Sequence, residues 1–225
     1  PASTVVDYHA EVCGNCHTGL GKPTFPEWSS CGHSQTAPGS AQNLACAKCH
    51  EAASAAAYLR TGQEPVSLPA NAVWKVTCAA CHATHSPQMF EHQLYQPSDS
   101  TCRACHTIDG ALVGQTFYAS QKEMLIGPGS GAYEWPGYTY DNSCHQVYVP
   151  DACVLCHMWD SSVGNPDTTT TGHQLTPKIQ MCVVCHAGQI PPDSSFDING
   201  CQTMIDSLLN ALGTMLAQAD TTTIE

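Results

Sequence analysis

Positive charge is what this sequence has least of. Lys and Arg together number 7 among 225 residues, against 19 Asp and Glu, and the formal net charge is −12. So few basic side chains cannot build the positive face that nucleic acid or an anionic membrane surface requires. Charge of either sign is scarce, since Asp, Glu, Lys and Arg make up 12% of the chain, about half the usual share of roughly 25%. Long apolar runs are missing too. A helix that spans a bilayer needs about 20 consecutive apolar residues, and the most apolar stretch, Met204 to Leu216, is broken by Asp206, Ser207, Asn210 and Gly213. The chain opens at Pro1 without a basic and apolar leader, and it reads as a mature form whose export signal has been removed. Large apolar residues are thin for this length, with 4 Phe and 4 Trp. A side-chain core alone would be weak, so another source of buried apolar area is expected.

What the chain has in excess is Cys, at 15, and His, at 12. Cys at this level usually marks a small secreted domain stapled by disulfides. This chain is too long for that class, and its cysteines follow another rule. The word Cys-x-x-Cys-His stands at Cys13–His17, Cys46–His50, Cys78–His82, Cys102–His106, Cys153–His157 and Cys182–His186. Chance placement of these residue types gives about 0.05 such words, whereas a c-type haem site takes one each. Two thiols three positions apart lie on one side of a helical turn, where each can bond a porphyrin vinyl group. The adjacent His then sits beneath the iron. Cys13, Cys16, Cys46, Cys49, Cys78, Cys81, Cys102, Cys105, Cys153, Cys156, Cys182 and Cys185 are the expected thioether residues of six covalently bound haem c groups. His17, His50, His82, His106, His157 and His186 are the expected proximal ligands. Structural zinc pairs CxxC units into four-ligand sets and needs no His after every second Cys. Thioredoxin-type exchange uses a single CxxC.

Six histidines remain: His9, His33, His85, His92, His145 and His173. Six spare imidazoles for six irons imply a distal His on each, so that no iron keeps an open position for a substrate. That pattern points to electron transfer and away from an enzyme. For any one spare His the plain alternative is a surface or hydrogen-bonding role. Met is the other common distal ligand and raises the potential. Of the six Met, Met204 and Met215 fall in a helical apolar stripe and read as core, while Met158 and Met181 adjoin motifs and read as packing on porphyrin faces; Met89 and Met124 complete the set. In Cys81-His82-Ala83-Thr84-His85 the second His lies about one turn from the first and is placed to reach a neighbouring haem. Which spare His serves which iron is not readable from spacing.

The chain allots about 37 residues to each haem, too few for a separate globule around each, so the porphyrins must share walls. The expected fold is mainly irregular with short α-helices bearing the motifs, packed by haem and with little β structure. Breakers stand at Gly127-Pro128-Gly129-Ser130-Gly131 and Pro191-Pro192-Asp193. Ala52 to Leu59 extends the second motif as a short helix. Residues 1–195 form the expected hexahaem region. Residues 196–225 form a C-terminal amphipathic segment whose apolar stripe runs through Met204, Ile205, Leu208, Leu209, Leu212, Met215 and Leu216. That stripe packs either on its own chain or on a neighbouring subunit. Ser195 to Asp206 loosely follows a calcium loop, with Gly200 at the sixth place, but Ser replaces the first Asp. Helix capping by Asp197 or Asn199 is the simpler reading, with calcium the lesser alternative. Cys31, Cys144 and Cys201 lie outside the motifs. In an oxidising space two of them are expected to form a disulfide and the third to stay free or join two chains.

The six CxxCH words, the CxxCHxxH pair and the haem density resemble exported multihaem c-type cytochromes of metal-respiring microbes. The tail Phe196-Asp197-Ile198-Asn199-Gly200 followed by Ile205-Asp206-Ser207-Leu208-Leu209 is also similar to C-terminal ends in that group. Some members polymerise into extracellular filaments, the cytochrome nanowires, with a distal His supplied by the neighbouring subunit in several. The resemblance implies an extracellular or cell-surface homopolymer that passes electrons to redox proteins or external acceptors. A monomeric periplasmic shuttle is the alternative, and a multihaem enzyme, which needs an open iron, is disfavoured by the six spare His and by the absence of any CxxCK. The Thr runs 168–171 and 221–223 suit O-glycosylation at a surface.

Overall fold

The computed structural model describes residues 7–19, 23–36, 40, 43–86, 90–108, 120–127, 136–149, 151–158, 170–191 and 193–222. Met89, Thr168, Thr169, Thr223 and the breakers at 128–131 and 192 lie outside the described residues. The described chain is helical and irregular without strands; its one β feature is an isolated antiparallel bridge between His82 and Leu94. In chain order the α-helices are α1 (Ala10–Gly14), α2 (Thr24–Ser30), α3 (Leu44–His50), α4 (Ala52–Thr61), α5 (Cys78–Cys81), α6 (Ser98–Arg103), α7 (Gln121–Ile126), α8 (Cys144–Tyr148), α9 (Ala152–His157), α10 (Ile179–His186) and α11 (Cys201–Thr222). All but α11 are three turns or shorter, so they depend on what they pack against and not on helix propensity.

Every CxxCH word is one helical turn. Those at Cys46, Cys153 and Cys182 lie wholly within α3, α9 and α10. In the other three the His N–H still donates to the carbonyl of the first Cys: His17 to Cys13 at 3.0 Å, His82 to Cys78 at 2.9 Å and His106 to Cys102 at 3.0 Å. The two thiols and the imidazole of each word are thereby carried on a single turn.

The chain forms two compact units, Pro1–Thr176 and Pro177–Glu225. The first carries five motifs; the second carries Cys182–His186 and α11. This division and the sequence boundary at 195/196 answer different questions, since the latter separates haem-binding sequence from the amphipathic tail. Within the first unit one apolar cluster joins Ala10, Trp28 and Cys31, with Phe25, Cys78 and Leu175 packed against it. A second joins Ala52, Ala55 and Ala80, with Tyr8, Val73 and Val76 around it. The Trp28 indole N–H donates to the Val76 carbonyl at 2.9 Å, holding α2 to the segment before α5. Among the described residues eight of the eleven buried apolar residues are alanine, the others being Trp28, Cys31 and Leu59. A buried methyl contributes about 0.8 kcal/mol, against roughly 1.5–3 for Leu or Phe. The side chains alone make a weak core, as composition implied.

The largest fully buried side chains are carboxylates, Glu51 and Glu123. Glu51 stands between α3 and α4 with extended backbone, φ −117° and ψ 125°. The second motif and the expected helix over Ala52 to Leu59 are therefore two helices, broken where Glu51 turns its side chain back as a cap. Its carboxylate accepts from Ala53 N–H at 3.2 Å, Ser54 N–H at 2.8 Å and, across the fold, Val73 N–H at 3.0 Å. Gly62 closes the far end of α4 at φ +70°, its N–H bonded to the Tyr58 carbonyl.

In the second unit Asp197 caps α11. It accepts from Gln202 N–H at 2.7 Å and Thr203 N–H at 3.2 Å, and from the Thr203 hydroxyl. Both carboxylate oxygens are used in this way, which supports capping over the calcium reading. The α11 stripe is not core. Met204, Ile205, Leu208, Leu209, Leu212, Met215 and Leu216 are all at least half exposed, so the expectation that Met204 and Met215 are buried in the chain's own core is corrected.

Replacing Glu51 by Ala leaves three N–H groups without their acceptor, and the holoprotein should lose about 2–3 kcal/mol in chemical denaturation. Glu51→Gln, which keeps one acceptor oxygen, should lose less.

Candidate haem centres

Two of the spare imidazoles lie opposite imidazoles from the motifs. The His33 and His106 rings are 6.0 Å apart between centres and tilted by 34°. Those of His82 and His173 are 6.2 Å apart and tilted by 31°. A metal sits about 2.0 Å from an imidazole nitrogen, which is itself roughly 1.2 Å from its ring centre, so two rings facing each other across one ion are about 6.4 Å apart. Both pairs match that separation, and each joins one motif His to one spare His. The separation between ring centres in each pair is therefore compatible with an ion placed between the two imidazoles.

Hydrogen bonding selects the nitrogen that is left to coordinate. Nδ1 of His82 bonds the His92 carbonyl at 2.8 Å, and Nδ1 of His157 bonds the Leu175 carbonyl at 3.0 Å. Nδ1 of His173 bonds Thr171 Oγ1 at 2.8 Å, Nδ1 of His186 bonds Gln189 Oε1 at 2.7 Å, and Nδ1 of His9 bonds Asp7 Oδ1 at 2.9 Å. With Nδ1 as the donor, the lone pair resides on Nε2, the arrangement that orients metal-bound histidines. The two carbonyl acceptors come from strained backbone: His92 and Leu175 both have φ of 57°, where a side chain other than Gly costs about 1–2 kcal/mol. Such outliers concentrate at functional sites.

Burial favours the neutral form of four imidazoles. His33 is pushed down to about 4, first by burial and then by the neighbouring His106 and His50. His50, His82 and His173 are also lowered, burial leading in each case. Neutral imidazole is the form that binds a metal. His82 also feels His92 and His17, and His173 feels His92, so four imidazoles from four segments gather in one region. A cavity lined by Phe90, His92, Pro97 and Val154, among others, lies between the His92 turn and α9.

Three buried acids brace the segments that carry these rings. Glu51 directly follows His50. Glu123 on α7 accepts from the Thr107 hydroxyl at 2.7 Å and Ile108 N–H at 3.2 Å, just after His106. Glu27 on α2 accepts from Thr171 and His173. Sequence reasoning missed all three. Only Glu51 has a local signal, an acid at a helix start next to a motif. Gly172 between Thr171 and His173 sits at φ +71°, and a Cβ there would collide with the Met158 backbone, so the turn requires glycine.

The thiols report which motifs are neighbours. Cys13 lies close to Cys78, Cys49 to Cys105, and Cys102 to Cys153, and Cys81 is near Cys102 and Cys105. The first motif thus adjoins the third, the third the fourth, and the fourth both the second and the fifth. Burial pushes the Cys78 thiol up to about 12 and Cys81 up to about 11. No group of three or more Cys, His, Asp or Glu in metal-holding geometry occurs among the described residues.

Other expectations fare differently. Of the three cysteines outside the motifs, Cys31 is buried against Ala10 and Trp28 whereas Cys144 and Cys201 are exposed, and within the first unit Cys31 and Cys144 are not joined as a disulfide. His85 is exposed at φ 57°, its N–H bonded to Gln93 Oε1 at 2.7 Å. His145 is exposed on α8 beside Cys144.

No family model matches the chain, and no curated protein matches it in sequence. Among solved structures, that of the outer cell wall cytochrome OcwA is similar, with 27% identity and a TM-score of 0.56 over 89% of this chain and 40% of that one. The chain is similar in fold to a cytochrome. It spans about 40% of that protein's length.

Removing His33 takes away one imidazole of a pair while leaving every thioether Cys in place. In reduced His33→Ala, one haem equivalent should bind carbon monoxide, read as a Soret shift that the parent protein lacks.

Proposed function

We propose that this chain is an exported multihaem c-type cytochrome that transfers electrons and catalyses no reaction of its own. The observation that carries this reading is the pairing of His33 with His106 and His82 with His173 at iron-spanning distance, in a chain with six CxxCH words. The similarity to an outer cell wall cytochrome points the same way. The twelve motif cysteines would fix six haem c groups by thioethers. His17, His50, His82, His106, His157 and His186 would hold the iron on one face; His9, His33, His85, His92, His145 and His173 are proposed for the other, or for an iron in an adjacent subunit. Bound haem supplies a one-electron iron couple. The chain's own contribution is to close both faces with imidazole, to lock ring orientation through Nδ1, and to bring five motifs close to one another.

The proposed setting is the cell surface or exterior, with copies of the chain assembled into a homopolymer. The exposed α11 supports this. Taken in heptads, Cys201, Ile205, Leu208, Leu212, Met215 and Ala219 form one seam, flanked by Met204, Leu209 and Leu216, with Asp206 on the opposite side. A second copy of the same seam would cover it without burying charge. Parallel pairing would bring the exposed Cys201 against its equivalent, as a cysteine that joins two chains. No helix among the described residues is long and apolar enough to cross a membrane.

Pyridine haemochrome with intact mass should give six haems per chain, and carbon monoxide should leave the Soret band of the reduced protein in place. A full haem equivalent shifting would favour an enzyme. Size-exclusion and negative-stain imaging should show assemblies that Leu208→Asp with Leu212→Asp reduces to single chains of unchanged haem content. A single-chain parent would instead indicate a periplasmic shuttle.

A further inference from the structure

Glu27 sits on α2, only 4% exposed, and is in none of the ion pairs among the described residues. It is far in sequence from the turn whose groups it accepts. Thr171 N–H reaches both carboxylate oxygens at 3.0 Å, and His173 N–H reaches Oε2 at 3.1 Å. These backbone bonds by themselves would describe a buried acid satisfying a turn. The Thr171 hydroxyl adds something else. It lies 2.6 Å from Glu27 Oε2 and 2.8 Å from His173 Nδ1. An ionised carboxylate only accepts, so the hydroxyl proton must point at Glu27. The hydroxyl oxygen is then left to accept from His173 Nδ1. The chain of donors is therefore fixed: imidazole N–H to hydroxyl, and hydroxyl to carboxylate. It places the His173 lone pair on Nε2, and the ring of His173 faces that of His82 at 6.2 Å.

We propose that Glu27, acting through the Thr171 hydroxyl, is a positioning residue that sets the orientation and electron richness of His173 and so lowers the potential of the iron that His173 ligates. The inference rests on the reading of His173 as an axial ligand. A buried anion relayed to Nδ1 shifts electron density toward Nε2, and outer hydrogen bonds of this kind tune ligand basicity. Oxidised iron carries one more positive charge than reduced iron, so a more basic imidazole favours the oxidised form. The relay has strength because it is buried, where charge acts with less screening. Thr171 also offers its main-chain carbonyl at 3.1 Å from Nδ1. If the hydroxyl is removed, His173 keeps its tautomer on a neutral acceptor and loses only the link to the anion.

Thr171→Val in the full haem-loaded chain separates the relay from simple bracing, because Glu27 keeps its bonds to the backbone. Spectropotentiometry should show one haem equivalent of the six moving to higher potential, by about tenfold in its oxidised-to-reduced ratio, or about 59 mV for one electron. The other five should stay in place. Thr171→Ser should restore the parent curve, and Glu27→Gln, which leaves a neutral acceptor, should shift the same haem in the same direction. Unmoved potentials in both Thr171→Val and Glu27→Gln, with six haems still attached, would overturn the relay. His173→Ala tests the reading beneath it: one haem equivalent should become open to carbon monoxide. If none does, His173 is not an axial ligand and the assignment itself fails; if one does while Thr171→Val is silent, only the relay fails.

Discussion

An imidazole can hold an iron only if its ring is aimed, its binding nitrogen carries a lone pair and the ring is neutral. The local structure of this chain is arranged around those three demands. Carbonyls of residues at positive φ, a threonine hydroxyl and side-chain oxygens of Gln189 and Asp7 take up Nδ1. Burial keeps His33, His50, His82 and His173 uncharged. The helical turn of each CxxCH word carries its own imidazole, whereas the opposite ring arrives from remote sequence. The irregular segments between helices are the means by which those remote rings are delivered.

The same demand accounts for the unusual interior. Alanine predominates among the buried apolar side chains, and the largest fully buried side chains are acids. Small residues allow close approach of neighbouring turns, and the buried carboxylates supply acceptors for loop N–H groups that no helix or strand satisfies. A chain with so little regular structure needs such tie points. Glu27, Glu51 and Glu123 provide them, and each is attached to a segment that bears a motif or spare histidine. Uncompensated burial of a carboxylate is costly, so each is surrounded by several donors.

What could be read from sequence was what is local. CxxCH encodes its turn within five residues, and all six turns are present. The α11 stripe follows from helical spacing, and Asp197 was named as a possible cap from its place before that helix. Long-range pairing was not legible: nothing in the residues around His33 marks His106 as its partner, and His82 meets His173 across half the chain. Glu27 and Glu123 gave no local signal, because their partners lie on distant loops. Reading Met204 and Met215 as core went wrong because periodicity shows that a helix has an apolar face, and not what covers it. The disulfide among Cys31, Cys144 and Cys201 was inferred from compartment alone, and spacing carried no information on which two would meet.

On the proposed function, the exposed face of α11 and the paired imidazoles would be two scales of one arrangement, a chain that holds its own cofactors and presents an apolar surface to its copies. The first is the premise of the second, since an assembly has no redox role unless each link is closed against bulk reactants. The most direct measurement is an experimental density map of the haem-loaded protein. Iron should lie midway between Nε2 of His82 and Nε2 of His173, and another between those of His33 and His106. Iron bound by one imidazole only, or these four rings found on four different irons, would contradict the account.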